Sequence, residues 1–177
     1  MQRSELEHLI RASGEIAGDD EIIIIGSQAV LGQFPDAPLA LRMSMEADVF
    51  PKNKPERADN IDGAIGEGSS FHELHGYYAQ GVGEGTAVLP NGWRNRLVAV
   101  INENTNGVTG LCLEVHDLAI SKLVAQRPKD LEFVQELVRR HMIQKRSMLR
   151  LLEETRIDNR LRSRIRNRIR QLYKALA

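Results

Sequence analysis

The chain has 177 residues, 42% hydrophobic and 27% charged, which is the make-up of a folded globular protein and excludes disordered and fibrous classes. Lys plus Arg equal Asp plus Glu at 24 each, so the total charge names no partner, and the single cysteine excludes an internal disulfide and fits a reducing compartment. No apolar run approaches the roughly 20 residues that span a bilayer, and the opening MQRSELEHLI has no signal core, so a cytoplasmic location with no membrane contact is expected.

In chain order, Ser4-Glu5-Leu6-Glu7 reads as a capping box that starts a helix over residues 5–17. Four consecutive isoleucines follow, Ile22 to Ile25, bounded by acidic and glycine turn signals. That pattern predicts a strand over residues 21–26 with both faces buried. Gly26-Ser27 then opens a short helix over residues 28–31, and the two prolines within 33–41 make that stretch a loop. Residues 42–49 alternate, with Met43, Met45, Ala47 and Val49 on one face and Arg42, Ser44, Glu46 and Asp48 on the other. A period of two predicts a strand with one apolar and one polar face, ended by Pro51.

A helix is expected over residues 57–65, and Ser70 with Glu73 reads as a second capping box. Short strands are expected over 77–82 and 86–89, then a hairpin of 97–101 with 108–115 whose connection ends in Asn106-Gly107. From His116 the pattern turns helical, with helices expected over 117–126, 128–141, 144–155 and 157–176. The last carries an apolar stripe of Ile157, Leu161, Ile165, Ile169, Leu172 and Leu176. The fold class is therefore α/β (α+β): a mixed sheet flanked by helices, with a helical C-terminal region.

Charge is segregated along the chain. Residues 1–138 hold 21 acids against 11 Lys/Arg, whereas residues 139–177 hold 13 Lys/Arg against three acids. Arg160, Arg162, Arg164, Arg166, Arg168 and Arg170 fall at every second position, which spreads them around a helix outside its apolar stripe. Such a basic tail suits a nucleic-acid backbone, an acidic protein partner or a second copy of the chain.

Glu46 and Asp48 stand two apart on the expected strand, so both carboxylates leave the same face about 7 Å apart. Such a pair can hold a hard divalent cation such as Mg²⁺. Gly26 lets a ligand approach the backbone at a strand end, and the Ser27 hydroxyl can bond a phosphate oxygen. The same residues could also be an ordinary strand-to-helix turn and two solvated acids. His72 and His75, three apart, have no cysteine or further ligand near them and read better as packing residues than as zinc ligands. Trp93 with Arg94 and Arg96 could line a nucleotide or RNA groove, or simply anchor a turn.

A glycine-serine turn followed by an acid-x-acid pair on the next strand, here IIIIGSQAV and then MEADV, resembles the nucleotidyltransferase superfamily typified by DNA polymerase beta. A second block, HDLAISKLVAQRPKDLEFV, is similar to the branch of abortive-infection and tRNA-modifying nucleotidyltransferase toxins. The resemblance implies a nucleotidyltransferase-like domain over residues 1–141, with a basic helical region over 142–177. It implies Mg²⁺ at Glu46 and Asp48, nucleotide phosphates at Gly26, Ser27 and Lys122, and Asp130 completing the site beside Lys122. It also implies transfer of a nucleoside monophosphate from a nucleoside triphosphate to an RNA hydroxyl, such as a tRNA 3′ end, or to a protein hydroxyl. The setting it implies is toxin–antitoxin or phage defence, with an antitoxin partner. The sequence departs from that pattern in three ways. The first acid is Glu46, 18 residues separate the turn from the acid strand (Gln28 to Met45), and no carboxylate lies within 97–101, where Glu103 and Glu114 are the nearest. These departures motivate the alternative of an inactive nucleotidyltransferase-like scaffold acting as a regulatory or antitoxin-type binding protein. The apolar stripe of the last helix motivates a homodimer.

Overall fold

The structure is a computed structural model and describes residues 1–175. The chain divides into two compact units, one made of residues 1–86 and 97–114, the other of residues 87–96 and those from 115 onward. The expected architecture is present: a five-stranded mixed sheet flanked by helices, followed by C-terminal helices.

In the first unit the strands are β1 (Glu21–Ile24), β2 (Glu46–Pro51), β3 (Tyr78–Gly81), β4 (Val98–Val100) and β5 (Thr109–Cys112), ordered β3-β2-β1-β5-β4. β1 is central, antiparallel to β2 and parallel to β5, which explains why its isoleucines are buried on both faces. β2 and β3 run parallel, and β4 and β5 form the expected antiparallel hairpin. Asn106 and Gly107, at φ of 48° and 85°, make the left-handed turn that leads back into it.

Helix α1 (Arg3–Ala17) lays Leu6, Leu9 and Ile10 on the sheet. At Gly110 of β5 an added Cβ would lie 2.3 Å from Ile10 Cδ1, so the Ile10 side chain packs directly over the glycine backbone. A three-residue 3₁₀ turn (Ser27–Ala29) and α2 (Val30–Gln33) follow β1, while α3 (Ala58–Ile65) and α4 (Ser70–His75) connect β2 to β3. The helix expected after Gly26-Ser27 is thus a single tight turn followed by one turn of α-helix.

Several local expectations are corrected. The start of α1 is capped by Gln2, whose N–H donates to the Glu5 carboxylate, and not by Ser4. The cap of α4 is Ser69, whose hydroxyl accepts from His72 N–H, and not Ser70. Residues 42–45 are not strand. The N-terminal ammonium bonds the Arg42 and Ser44 carbonyls, and the Ser44 hydroxyl accepts from Glu46 N–H, so these groups bond outside a strand ladder. Met43 and Met45 are consequently 68% and 54% exposed, while Ala47 and Val49 are buried as the alternation requires. Residues 86–89 form no strand either; Pro90 makes one isolated bridge to Thr155.

The second unit holds α5 (Val115–Ala125), α6 (Pro128–Arg139), α7 (Lys145–Glu153) and α8 (Asn159–Lys174). Pro128 occupies the first turn of α6, where a missing N–H costs nothing. Asp158 caps α8, accepting from Leu161 N–H at 2.8 Å. Ile165 and Ile169 of the apolar stripe are buried, and Ile157, Leu161 and Leu172 are half-buried; Leu176 lies outside the described residues. Among the described residues no helix is long and apolar enough to cross a membrane.

Candidate functional site

The end of β1 and the middle of β2 are joined by backbone and by shape. Ile25 N–H donates to the Asp48 carbonyl at 3.0 Å. The next residue, Gly26, stands so close to the Asp48 side chain that an added Cβ would lie 1.8 Å from Oδ2 and 2.7 Å from Cγ. Its φ of −81° suits any residue, so glycine is needed for space and not for backbone freedom. Gly26 also serves as the cap of the 3₁₀ turn, which leaves Ser27 without a capping role. The half-buried Ser27 hydroxyl makes no hydrogen bond among the described residues.

Glu46 and Asp48 do share a face of β2, as expected from their spacing. The parallel register sets Tyr78 opposite Glu46 and Gln80 opposite Asp48. The Tyr78 hydroxyl donates to Glu46 Oε2 at 3.3 Å. Burial, reinforced by the neighbouring Glu46 carboxylate, pushes the Tyr78 phenol up to about 12, so it remains a proton-bearing donor to that carboxylate. Nothing in the sequence pattern singles out Tyr78 as a site residue. Its pairing depends on which strand lies beside β2, and no periodicity carries that information.

The two loosely matching acids are separated by the sheet register. β5 runs parallel to β1 with Cys112 opposite Ile24, so Glu114 lies at the same sheet end as Gly26. Glu103 sits in the β4–β5 connection, at the opposite end. Among the described residues no group of three or more His, Cys, Asp or Glu is placed to hold a metal ion. His72 packs its ring on Tyr78, and His75 packs on His8, Phe71 and Tyr77, so the two histidines serve aromatic packing.

In the helical unit, Lys122 of α5 and Asp130 of α6 are brought together, with Nζ 3.0 Å from Oδ1. Arg127 closes the other side, its Nε 2.6 Å from Oδ2. The Asp130 carboxylate is fully buried, which alone would raise its pKa; the Arg127 and Lys122 hydrogen bonds and charges outweigh that and hold it below the usual carboxylate range. The Lys122 ammonium also lies over the Phe133 ring, 5.1 Å from its centroid. Arg96 is bound to the buried Asp117 by two hydrogen bonds of 2.8 Å, a structural pairing that commits it away from any groove with Trp93. Arg94 stacks on Trp93 at 5.0 Å.

Residues 4–175 match the family described as a nucleotidyltransferase of unknown function (DUF6036). The chain belongs to that family. No curated protein and no solved structure matches it. Within a nucleotidyltransferase-family chain the donors at Glu46 and Asp48 fit Mg²⁺: this ion is commonly held by one or two carboxylates, with substrate phosphates and water completing its shell. The Gly26 contact holds one of those carboxylates against the turn that the family resemblance assigns to phosphate.

Proposed function

We propose that this nucleotidyltransferase-family protein transfers a nucleoside monophosphate from a nucleoside triphosphate to a hydroxyl. The observation that carries the reading is the contact of Gly26 with the Asp48 carboxylate, which joins a glycine-serine turn to an acid pair at one sheet end. In the reaction, the acceptor oxygen bonds the α-phosphorus, the bond from that phosphorus to the α–β bridging oxygen breaks, and pyrophosphate leaves. The hydroxyl proton is lost to a carboxylate or to water.

Glu46 and Asp48 would hold Mg²⁺, which when bound neutralises phosphate charge and lowers the pKa of the attacking hydroxyl. Gly26 leaves room for phosphate at the backbone, and the uncommitted Ser27 hydroxyl donates to a phosphate oxygen. Tyr78 orients Glu46 through its hydrogen bond. Lys122, which the resemblance implies as a further phosphate cation with Asp130 beside it, is bonded to the Asp130 carboxylate. RNA is the preferred acceptor. Arg160, Arg164, Arg168 and Arg170 of α8 are exposed and make no ion pair or hydrogen bond among the described residues, which suits a phosphate backbone. A toxin–antitoxin setting, with a protein hydroxyl as the other acceptor class, is the context the resemblance implies.

The test is label transfer from each α-labelled nucleoside triphosphate, with Mg²⁺ and total tRNA, by wild type and Asp48→Asn. Transfer by wild type with a loss of at least about a hundredfold in Asp48→Asn is expected, the scale of losing a metal-held transition-state charge. Equal transfer by both removes this metal site. A second reading, an inactive scaffold that binds a partner, is favoured by the absence of a three-carboxylate cluster among the described residues. Titration calorimetry separates them, because a dead scaffold shows no Mg²⁺-dependent nucleotide affinity.

A further inference from the structure

Gln28 follows Ser27 directly, in the 3₁₀ turn that packs against β2, the strand bearing Glu46 and Asp48. Its side chain is wholly buried, and both carboxamide atoms, Nε2 and Oε1, lack any hydrogen-bond partner. Burying an unpaired amide is costly, and native interiors pair nearly all such groups. An apolar residue of the same length, such as methionine, would fill this volume without that cost. The other buried orphan, the Ser13 hydroxyl, lies within α1, where a change of χ1 rotamer lets a serine bond a carbonyl of the preceding turn, so it signals no ligand. A glutamine has no such local escape.

We propose that Gln28 is a positioning residue of the nucleotide site. Its carboxamide stays unpaired in the free protein and gains its hydrogen bonds when a triphosphate seats on the Gly26–Ser27 turn and shifts residues 26–28. It acts through the turn and not on the reacting atoms. The amide nitrogen supplies a donor to the phosphate-bound arrangement, and the amide oxygen accepts from a turn N–H or hydroxyl that the shift exposes. The energetic cost carried by the free state is thereby recovered on binding, a trade of stability for affinity. This deepens the proposed function and rests on it.

The experiment compares wild type with Gln28→Met by thermal unfolding and calorimetry, using Mg²⁺ with ATP, CTP, GTP and UTP in turn. The expected result is an unchanged or higher Tm for the free variant, with the nucleotide bound by wild type now bound roughly tenfold more weakly, the scale of one or two lost hydrogen bonds. Wild-type affinity in the variant overturns the proposal, and a lower Tm beside it marks a residue satisfied by an enclosed water. A wild type that binds none of the four overturns the proposed function and this inference together. Should Gln28→Met not fold, or fold with a lower Tm, the side-chain amide resonances of Gln28 in ¹⁵N-labelled wild type decide: a shift on nucleotide addition supports the proposal, and no shift while backbone resonances of the turn move overturns it.

Discussion

Gly26 is the residue on which the candidate site turns. A methyl group at this position would occupy the place of the Asp48 carboxylate oxygen, so Gly26→Ala must either swing Asp48 away or open the β1–β2 junction. We expect Gly26→Ala to remain folded, to lose about 1–3 kcal/mol of stability as overpacked sites do, and to lose Mg²⁺-nucleotide binding in calorimetry. Retained wild-type affinity would show that the close approach serves packing alone. Asp130 illustrates the opposite case at the same scale. Its two cationic partners, Lys122 and Arg127, make it the centre of an ion cluster joining two helices, and removing it would leave both charges without their partner.

At the scale of elements, the loop between α1 and β1 is tied to the segment after β2 by one side chain. Asp19 accepts from Glu21 N–H at 3.1 Å, from Asn53 N–H at 2.7 Å and from Lys54 N–H at 3.0 Å, and Asn53 Nδ2 adds a fourth bond at 2.9 Å. Burial alone would raise its pKa, but these donors together hold it below the ordinary carboxylate value. Because the folded pKa is the lower one, the stabilisation is complete above the unfolded value and is lost as pH falls through the folded one. Asp19→Ala is expected to cost about 3 kcal/mol at neutral pH, on the scale of charge-assisted bonds left without their acceptor. It should also flatten the acid limb of the stability curve below about pH 4, measured by urea unfolding across pH. An acid limb identical to wild type would remove Asp19 from this role. The same scale shows why residues 42–45 escape the strand that their alternation predicts. Periodicity reports which residues can share a face, whereas the distant N-terminal ammonium and the neighbouring Ser44 hydroxyl engage these backbone groups outside a ladder.

Across the whole molecule, charge segregates between an acidic stretch and a basic end, but the six alternating arginines are not one surface. Arg162 donates to the carbonyls of Leu152, Glu153, Thr155 and Ile157, closing the C-terminal end of α7, and Arg166 pairs with Glu153 at 2.6 Å. Arg160, Arg164 and Arg168, four apart, remain as an exposed row. Replacing these three by Gln should leave unfolding stability within about 1 kcal/mol of wild type and lower RNA affinity. It should also reduce the slope of log K against log salt by about 2, the value for three lost single-strand phosphate contacts. Arg162→Gln should instead destabilise α7 and α8. An unchanged salt slope in the triple variant would assign the row to solvent.

The buried isoleucine strand, the Gly-Ser turn, the acid pair on one face, the Asn-Gly hairpin and the four C-terminal helices were all readable in advance. Each is written in residue spacing or in the local chemistry of one turn. Tyr78 beside Glu46, Gln28 left unpaired, Glu114 at the turn's end of the sheet with Glu103 at the other, and the division of the arginines into caps and free charges were not readable. Each of those depends on strand order, register or the end of another helix. Long-range pairing sets these, and no local pattern encodes them.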